Sequence, residues 1–196
     1  MKHLAVFCGA SVGSNDLYRK EALKVADYMA DRNIAMVYGG GKIGLMGVMA
    51  DRLIQRNVPV IGVIPKLLKT KEVAHPDVSE MIYTETMSER KVIMSLKCDA
   101  YIALAGGFGT LDEIFEALTM GQLGIESKPV AFLNTGGFYD HLMKQLDYMV
   151  HEGFLKPLNR DLIIISDSIE EIFDQINDYK APKVTKVINT TPDYEE

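Results

Sequence analysis

Three short apolar runs in this chain end directly in loops of glycine and other small residues. Leu4–Cys8 runs into Gly9-Ala10-Ser11-Val12-Gly13-Ser14, Ile34–Tyr38 into Gly39-Gly40-Gly41-Lys42-Ile43-Gly44, and Ala100–Leu104 into Ala105-Gly106-Gly107-Phe108-Gly109. Short continuous apolar runs are the pattern of strands buried on both faces. Between them lie stretches with helical periodicity, such as 15–32, where Leu17, Leu23, Ala26 and Met29 form one stripe, and 45–56. Thr86-Met87-Ser88-Glu89 has capping-box spacing and predicts a helix from there to about Lys97. Further strands are expected at 58–64, 81–83, 129–133 and 162–165, and further helices at 138–150, 168–177 and from the third glycine loop to about Gly124. Strands alternating with helices of this length imply a parallel sheet, here of about seven strands, with helices on both faces. Ligands of such sheets bind beyond the carboxyl ends of the strands, where the topology reverses. The three small-residue loops are expected to meet there.

The 196 residues suit one domain, 1–180, followed by a polar tail at 181–196. A net charge of −6 argues against a broad nucleic-acid face, while leaving room for a local cationic pocket. Cys8 and Cys98 lie in apolar surroundings without metal-ligand spacing, so they read as reduced, buried thiols of a cytoplasmic protein, and Cys8 or Cys98 as a catalytic thiol stays a minor alternative. The apolar run near Met1 is too short for a signal peptide, and no window is long enough to span a membrane. His3, His75, His141 and His151 fit no metal-ligand pattern, so no metal is expected; His75, before Pro76, reads as a loop residue.

Gly39-x-Gly41-x-x-Gly44 matches the dinucleotide fingerprint formally, but it follows the second strand, and Ile64-Pro65-Lys66 stands where a ribose-binding acid belongs. It is either a tight packing turn or, through Gly40 and Gly41, a contact for a mononucleotide or sugar phosphate. Ser11 in the first loop is a similar secondary candidate. In the third loop, glycines followed by a helix start leave backbone N–H groups free to hold an anion. Asp112, Glu113 and Glu116 stand at the start of that helix, which a pure phosphate cradle would avoid. Thr110-Leu111-Asp112-Glu113 also has capping-box spacing, so Glu113 either reaches back to the Thr110 backbone or serves chemistry. Glu113 and Glu116 share a helical face, and a cap needs only one of them. Arg90-Lys91, early in the preceding helix, opposes the helix dipole. The pair is either solvated or kept for a ligand phosphate. Met46, Met87 and Met94 are core residues or the lining of a base pocket.

These residues together resemble a known family. Gly106-Gly107-x-Gly109-Thr110-x-x-Glu113 is similar to the Pro-Gly-Gly-x-Gly-Thr-x-x-Glu signature of the Lonely Guy proteins, cytokinin riboside 5′-monophosphate phosphoribohydrolases once labelled lysine decarboxylases. The likeness extends to Cys8-Gly9-Ala10-Ser11, Gly39-Gly40-Gly41-x-x-Gly44-Leu45-Met46-Gly47, Met87-x-x-Arg90-Lys91-x-x-Met94 and Thr119-x-x-Gln122-Leu123-Gly124-Ile125. The resemblance implies a Rossmann-like three-layer fold, a homodimer, no cofactor, and Arg90 and Glu113 as the catalytic pair. It implies substrate contacts from Glu72, Arg90, Lys91, Thr119 and the run Gly107, Phe108, Gly109, Thr110, Leu111, Asp112 and Glu113, with 107–110 on the 5′-phosphate. The chain departs from the pattern at Ala105, where the motif has proline, and at Ser88, where the family has histidine.

The expected reaction is hydrolysis of the N-glycosidic bond of a purine riboside 5′-monophosphate, such as AMP or isopentenyladenosine monophosphate. Glu113 would stabilise the oxocarbenium-like sugar and activate water, with Glu116 in support. The alternative is a non-catalytic nucleotide or molybdenum-cofactor carrier. A pyridoxal-dependent decarboxylase would need a Schiff-base lysine, and no lysine stands in such a setting.

Overall fold

The computed structural model describes residues 1–68 and 74–182. Seven parallel strands form one sheet: β1 (His3–Phe7), β2 (Ala35–Tyr38), β3 (Val60–Pro65), β4 (Glu80–Thr84), β5 (Ala100–Ala103), β6 (Val130–Leu133) and β7 (Ile163–Ser166), in the order β4-β3-β2-β1-β5-β6-β7. The helices are α1 (Asp16–Asp31), α2 (Gly44–Gln55), α3 (Met87–Lys97), α4 (Phe108–Gln122), α5 (Asp140–His151), α6 (Pro157–Arg160) and α7 (Ile169–Asp178). All the strands expected from the apolar runs are present, and the three-layer fold is as expected. The short α6, opened by Pro157 at a position where a missing N–H costs nothing, was not foreseen.

The layers follow from the alternation of side chains along each strand. Leu4, Val6, Met36, Tyr38 and Ile102 point to one face, where α1, α2 and α7 cover them. Ala5, Phe7, Val37, Ala103 and Phe132 point to the other, under α3, α4 and α5. Strands with both faces buried must be apolar throughout, which is why β2, β3, β5 and β6 read as unbroken runs rather than alternating ones.

The order in which strands are added reverses between β1 and β5, which pair in parallel from Leu4 opposite Ala100 to Phe7 opposite Ala103. The chain leaves β1 toward α1 on one face and leaves β5 toward α4 on the other. Backbone bonds carry the pairing past the strand ends, from Leu104 N–H to the Phe7 carbonyl at 2.9 Å and from Gly9 N–H to the Ala105 carbonyl at 3.0 Å. The buried Tyr139 hydroxyl donates to the Leu104 carbonyl at 2.7 Å and pins the end of β5. The second glycine loop joins the other two through the bond from Leu45 N–H to the Gly9 carbonyl at 3.0 Å. Gly44, at φ +65°, lies so close that a Cβ there would meet the Gly9 carbonyl oxygen at 2.5 Å. The three loops therefore converge, as predicted.

Candidate active site

α4 begins at Phe108, three residues before the capping-box spacing suggested. Its cap is Gly107, with no side-chain cap bond, and the first turn holds no acid. The first helical bond runs from Leu111 N–H to the Gly107 carbonyl at 3.1 Å, so the N–H groups of Phe108, Gly109 and Thr110 have no intrahelical acceptor. Asp112, Glu113 and Glu116 consequently sit a turn or more inside the helix rather than on its end. The expectation of carboxylates at the helix start is corrected by this: glycines at 107 and 109 let the helix start earlier than the Thr-x-x-Glu pattern indicates.

The glycines of this loop serve two different purposes. A Cβ on Gly106 would lie 2.1 Å from the Thr110 hydroxyl, so Gly106 is demanded by the protein's own packing. A Cβ on Gly107 or Gly109 would meet nothing within 4 Å. Space left open beside free N–H groups at a helix N-terminus is the geometry of an anion cradle.

Arg90 comes from the start of α3, where Thr86 accepts from Glu89 N–H at 3.1 Å and Glu89 accepts in turn from Glu85 N–H at 2.8 Å, bearing out the predicted cap. Its Nη2 donates to Glu113 Oε1 at 2.5 Å, and both side chains are less than a tenth exposed. Glu113 is thus paired with Arg90 across 23 residues of sequence, not a lone capping group. The guanidinium rests on Gly39, where a Cβ would lie 2.4 Å from Nη2. Its Nη1 points at the Met87 sulfur at 3.8 Å, and its Nε is buried without a hydrogen-bond partner. A buried cation with unused donors can accept a further ligand group.

Lys91, the next residue, pairs with Glu116 and, at 3.1 Å, with Asp112. Burial pulls its ammonium down, but the bonds to Glu116 and Asp112 outweigh that and hold its pKa above the ordinary lysine range. Cys8 lies buried at the end of β1, where burial, and secondarily the Glu113 carboxylate, push its thiol far up. Cys8 is a neutral thiol rather than a nucleophile. Burial likewise pushes Cys98 up to about 11.

The remaining predicted residues are spread more widely. Ser11 lines a crevice of about 230 Å³ at the reversal point, together with Gly9, Tyr18, Leu45, Gly107 and Phe138. Phe108 is 93% exposed at the first position of α4, next to the cradle; Leu111 follows one turn on. Gly40 and Gly41 are buried rather than open to a ligand, and Gly40 adopts φ +77°. Thr119 is exposed near the far end of α4, its hydroxyl bonded to the Phe115 carbonyl at 2.7 Å. Glu72 lies outside the described residues, as do residues 183–196 of the predicted tail. Met46 and Met87 flank the Arg90–Gly39 contact, whereas Met94 belongs to the core. Sequence reasoning missed the support that Gly39 gives Arg90 and the burial of His75, which is 2% exposed. Among the described residues, no cluster of three or more His, Cys, Asp or Glu could hold a metal ion, and no helix is long and apolar enough to cross a membrane.

A family model described as "Possible lysine decarboxylase" matches residues 46–176. Cytokinin riboside 5′-monophosphate phosphoribohydrolase LOG1 of Arabidopsis thaliana is 41% identical over 186 residues, covering 95% of this chain and 87% of that one. Probable cytokinin riboside 5′-monophosphate phosphoribohydrolase LOGL3 of Oryza sativa subsp. japonica is 42% identical, covering 91% and 84%. The chain belongs to the Lonely Guy family. Among solved structures, the molybdenum cofactor binding protein of Rippkaea orientalis superposes with a TM-score of 0.66 at 22% identity, over 90% of this chain and 96% of that one. At that identity the likeness is one of fold. The two departures from the Lonely Guy pattern are structurally mild. Ala105 is buried and offers its carbonyl to Gly9, and Ser88 is exposed on the first turn of α3.

Proposed function

We propose that this chain hydrolyses the N-glycosidic bond of purine riboside 5′-monophosphates such as AMP or isopentenyladenosine monophosphate, releasing the free base and ribose 5-phosphate. The observation that carries the proposal is the buried Arg90–Glu113 pair standing beside an unfilled glycine cradle. The N–H groups of residues 108–110 take the 5′-phosphate, favoured by the positive end of the α4 dipole. Glu113, a turn further in, faces the sugar. As the bond from C1′ to the base breaks, its electron pair leaves with the base and positive charge develops on the sugar. The carboxylate stabilises that charge and takes a proton from the attacking water, whose oxygen forms the new bond to C1′; the base takes up a proton from solvent as it leaves, and Glu113 returns the water's proton to solvent. Arg90 holds the carboxylate in one orientation and turns its unused donors to the substrate. Lys91 and Glu116 flank the pair. The reaction balances without a cofactor.

Two other readings meet specific obstacles. A nucleotide carrier, which the fold neighbours bring to mind, has no use for a buried carboxylate beside its phosphate site. A pyridoxal-type decarboxylase needs a lysine that gives up its proton, whereas Lys91 is held charged by Glu116 and Asp112. Incubation with AMP and, separately, with isopentenyladenosine monophosphate tests the proposal by chromatography of the free base. Adenine or isopentenyladenine is expected to accumulate; binding without release would favour the carrier.

The protein is further proposed to act as a homodimer in the cytoplasm. Val92 and Leu96, one turn apart on α3, are 56% and 79% exposed, and Phe108 and Ile125 near the two ends of α4 are exposed as well. Apolar side chains in such numbers on two neighbouring helices suit a partner of the same kind. Sedimentation is expected to give twice the 21.8 kDa chain mass; a monomer at micromolar concentration would contradict this. The two free, buried cysteines fit a reducing compartment, which cell fractionation tests.

A further inference from the structure

The connection between β3 and β4 carries a buried histidine for which the proposed reaction has no use. His75 Nε2 lies 3.0 Å from Asp51 Oδ1 on α2, and Asp77 N–H donates to His75 Nδ1 at 3.2 Å. A carboxylate accepts, so Nε2 carries the hydrogen and Nδ1 the lone pair. One tautomer satisfies both contacts, and the ring is locked between α2 and its own turn. The His75 backbone N–H donates to the Gly40 carbonyl at 2.9 Å, and the preceding Ala74 forms an antiparallel bridge with Gly41.

Gly40 and Gly41 directly follow Gly39, the residue on which the Arg90 guanidinium rests. Met81 and Ile64 also pack against Gly40, but apolar contacts impose no direction on the loop. The bond from the His75 backbone to the Gly40 carbonyl does impose one. The loop depends on such a bond, because three successive glycines are otherwise free to move and nothing in glycine itself holds Gly40 at its φ of +77°.

We propose that His75 is a positioning residue for Arg90: clamped by Asp51 and Asp77, it fixes the Gly39–Gly41 loop at the height where the guanidinium meets Glu113. This rests on Arg90 and Glu113 being the reacting pair. A fraction of an ångström matters at such a contact, since displacements of about 1 Å can lower rates by about 100-fold.

The test uses His75→Phe, which keeps a ring but neither polar contact, and the pair Asp51→Asn and Asp51→Leu. His75→Phe is expected to lower kcat on AMP by about 10- to 100-fold with KM within about threefold, because the phosphate cradle lies on α4 and is untouched. Asp51→Asn, which still accepts from Nε2–H, should stay within about threefold of wild type, and Asp51→Leu should lose activity as His75→Phe does. If the effect runs through Arg90, then in an Arg90→Lys background His75→Phe costs at most about a further threefold, the non-additivity expected of coupled residues. A wild-type kcat in His75→Phe, or the same loss in both backgrounds, overturns the proposal, the second being the mark of general loosening. Should His75→Phe fail to fold, the two Asp51 variants decide by the same comparison: equal activities overturn the proposal. Glu113→Gln assayed alongside separates the two possible failures. If it is active, the reaction assignment falls; if it is inactive while His75→Phe is unaffected, only the clamp falls.

Discussion

Replacing Glu113 by glutamine is expected to lower turnover of AMP by about 10³-fold while leaving AMP binding within a few-fold of wild type. The amide keeps the volume of the side chain and an acceptor oxygen for Arg90 Nη2, so the 2.5 Å contact can persist in altered form and the helix is undisturbed. What it removes is the negative charge that meets the oxocarbenium-like sugar and the base that takes the proton from water. In the proposed binding mode the phosphate is held elsewhere, by backbone N–H groups at 108–110. Affinity and turnover should therefore separate cleanly, with kcat falling and the dissociation constant of AMP nearly unchanged. Turnover within about tenfold of wild type would remove Glu113 from the chemistry, since positioned acid–base groups contribute about 10² or more.

The second large effect is expected at Gly109. Outside its own helix turn, no atom lies within 4 Å of a Cβ placed there, so the valine side chain starts into open space and the fold is expected to hold its thermal midpoint. Helix propensity favours the change slightly, because glycine is the costlier residue inside a helix. The phosphate, in contrast, loses its place. Hydrogen bonds to a charged group contribute about 1.5–3 kcal/mol each. Loss of two of them corresponds to roughly 10²- to 10⁴-fold in kcat/KM, borne mostly by KM. Gly106→Ala is a useful contrast, since its Cβ would strike the Thr110 hydroxyl and disturb the protein itself. A Gly109→Val protein that is stable and binds AMP normally would show that the cradle holds no phosphate.

The fold was legible because strands buried on both faces leave unbroken apolar runs, and because glycine loops mark where such strands end. The Arg90–Glu113 pair was legible only in part. Arg90 and Glu113 lie on different helices, and nothing in local spacing says that two side chains so far apart in sequence will meet; the resemblance supplied the pairing. Local pattern even pointed elsewhere, since Thr110-x-x-Glu113 has the form of a cap while α4 starts at Phe108 and Glu113 turns to Arg90. The glycines that permit the early start have no side chains through which to declare it. His75 was read as a loop residue because its neighbours are polar and Pro76 follows. Its burial depends on Asp51 from α2 and the Gly40 carbonyl, partners that only the folded chain assembles. Gly40 and Gly41 were legible as special positions, but their contacts with His75 and Ala74 were not, because only the folded chain brings those residues together.

The bond broken is the one between C1′ and the base, and phosphorus NMR of AMP during turnover follows its fate. The AMP resonance is expected to be replaced by that of ribose 5-phosphate, with adenine appearing in equal amount and no inorganic phosphate. Growth of inorganic phosphate alongside adenosine, or an AMP signal that broadens on binding and never converts, would contradict it.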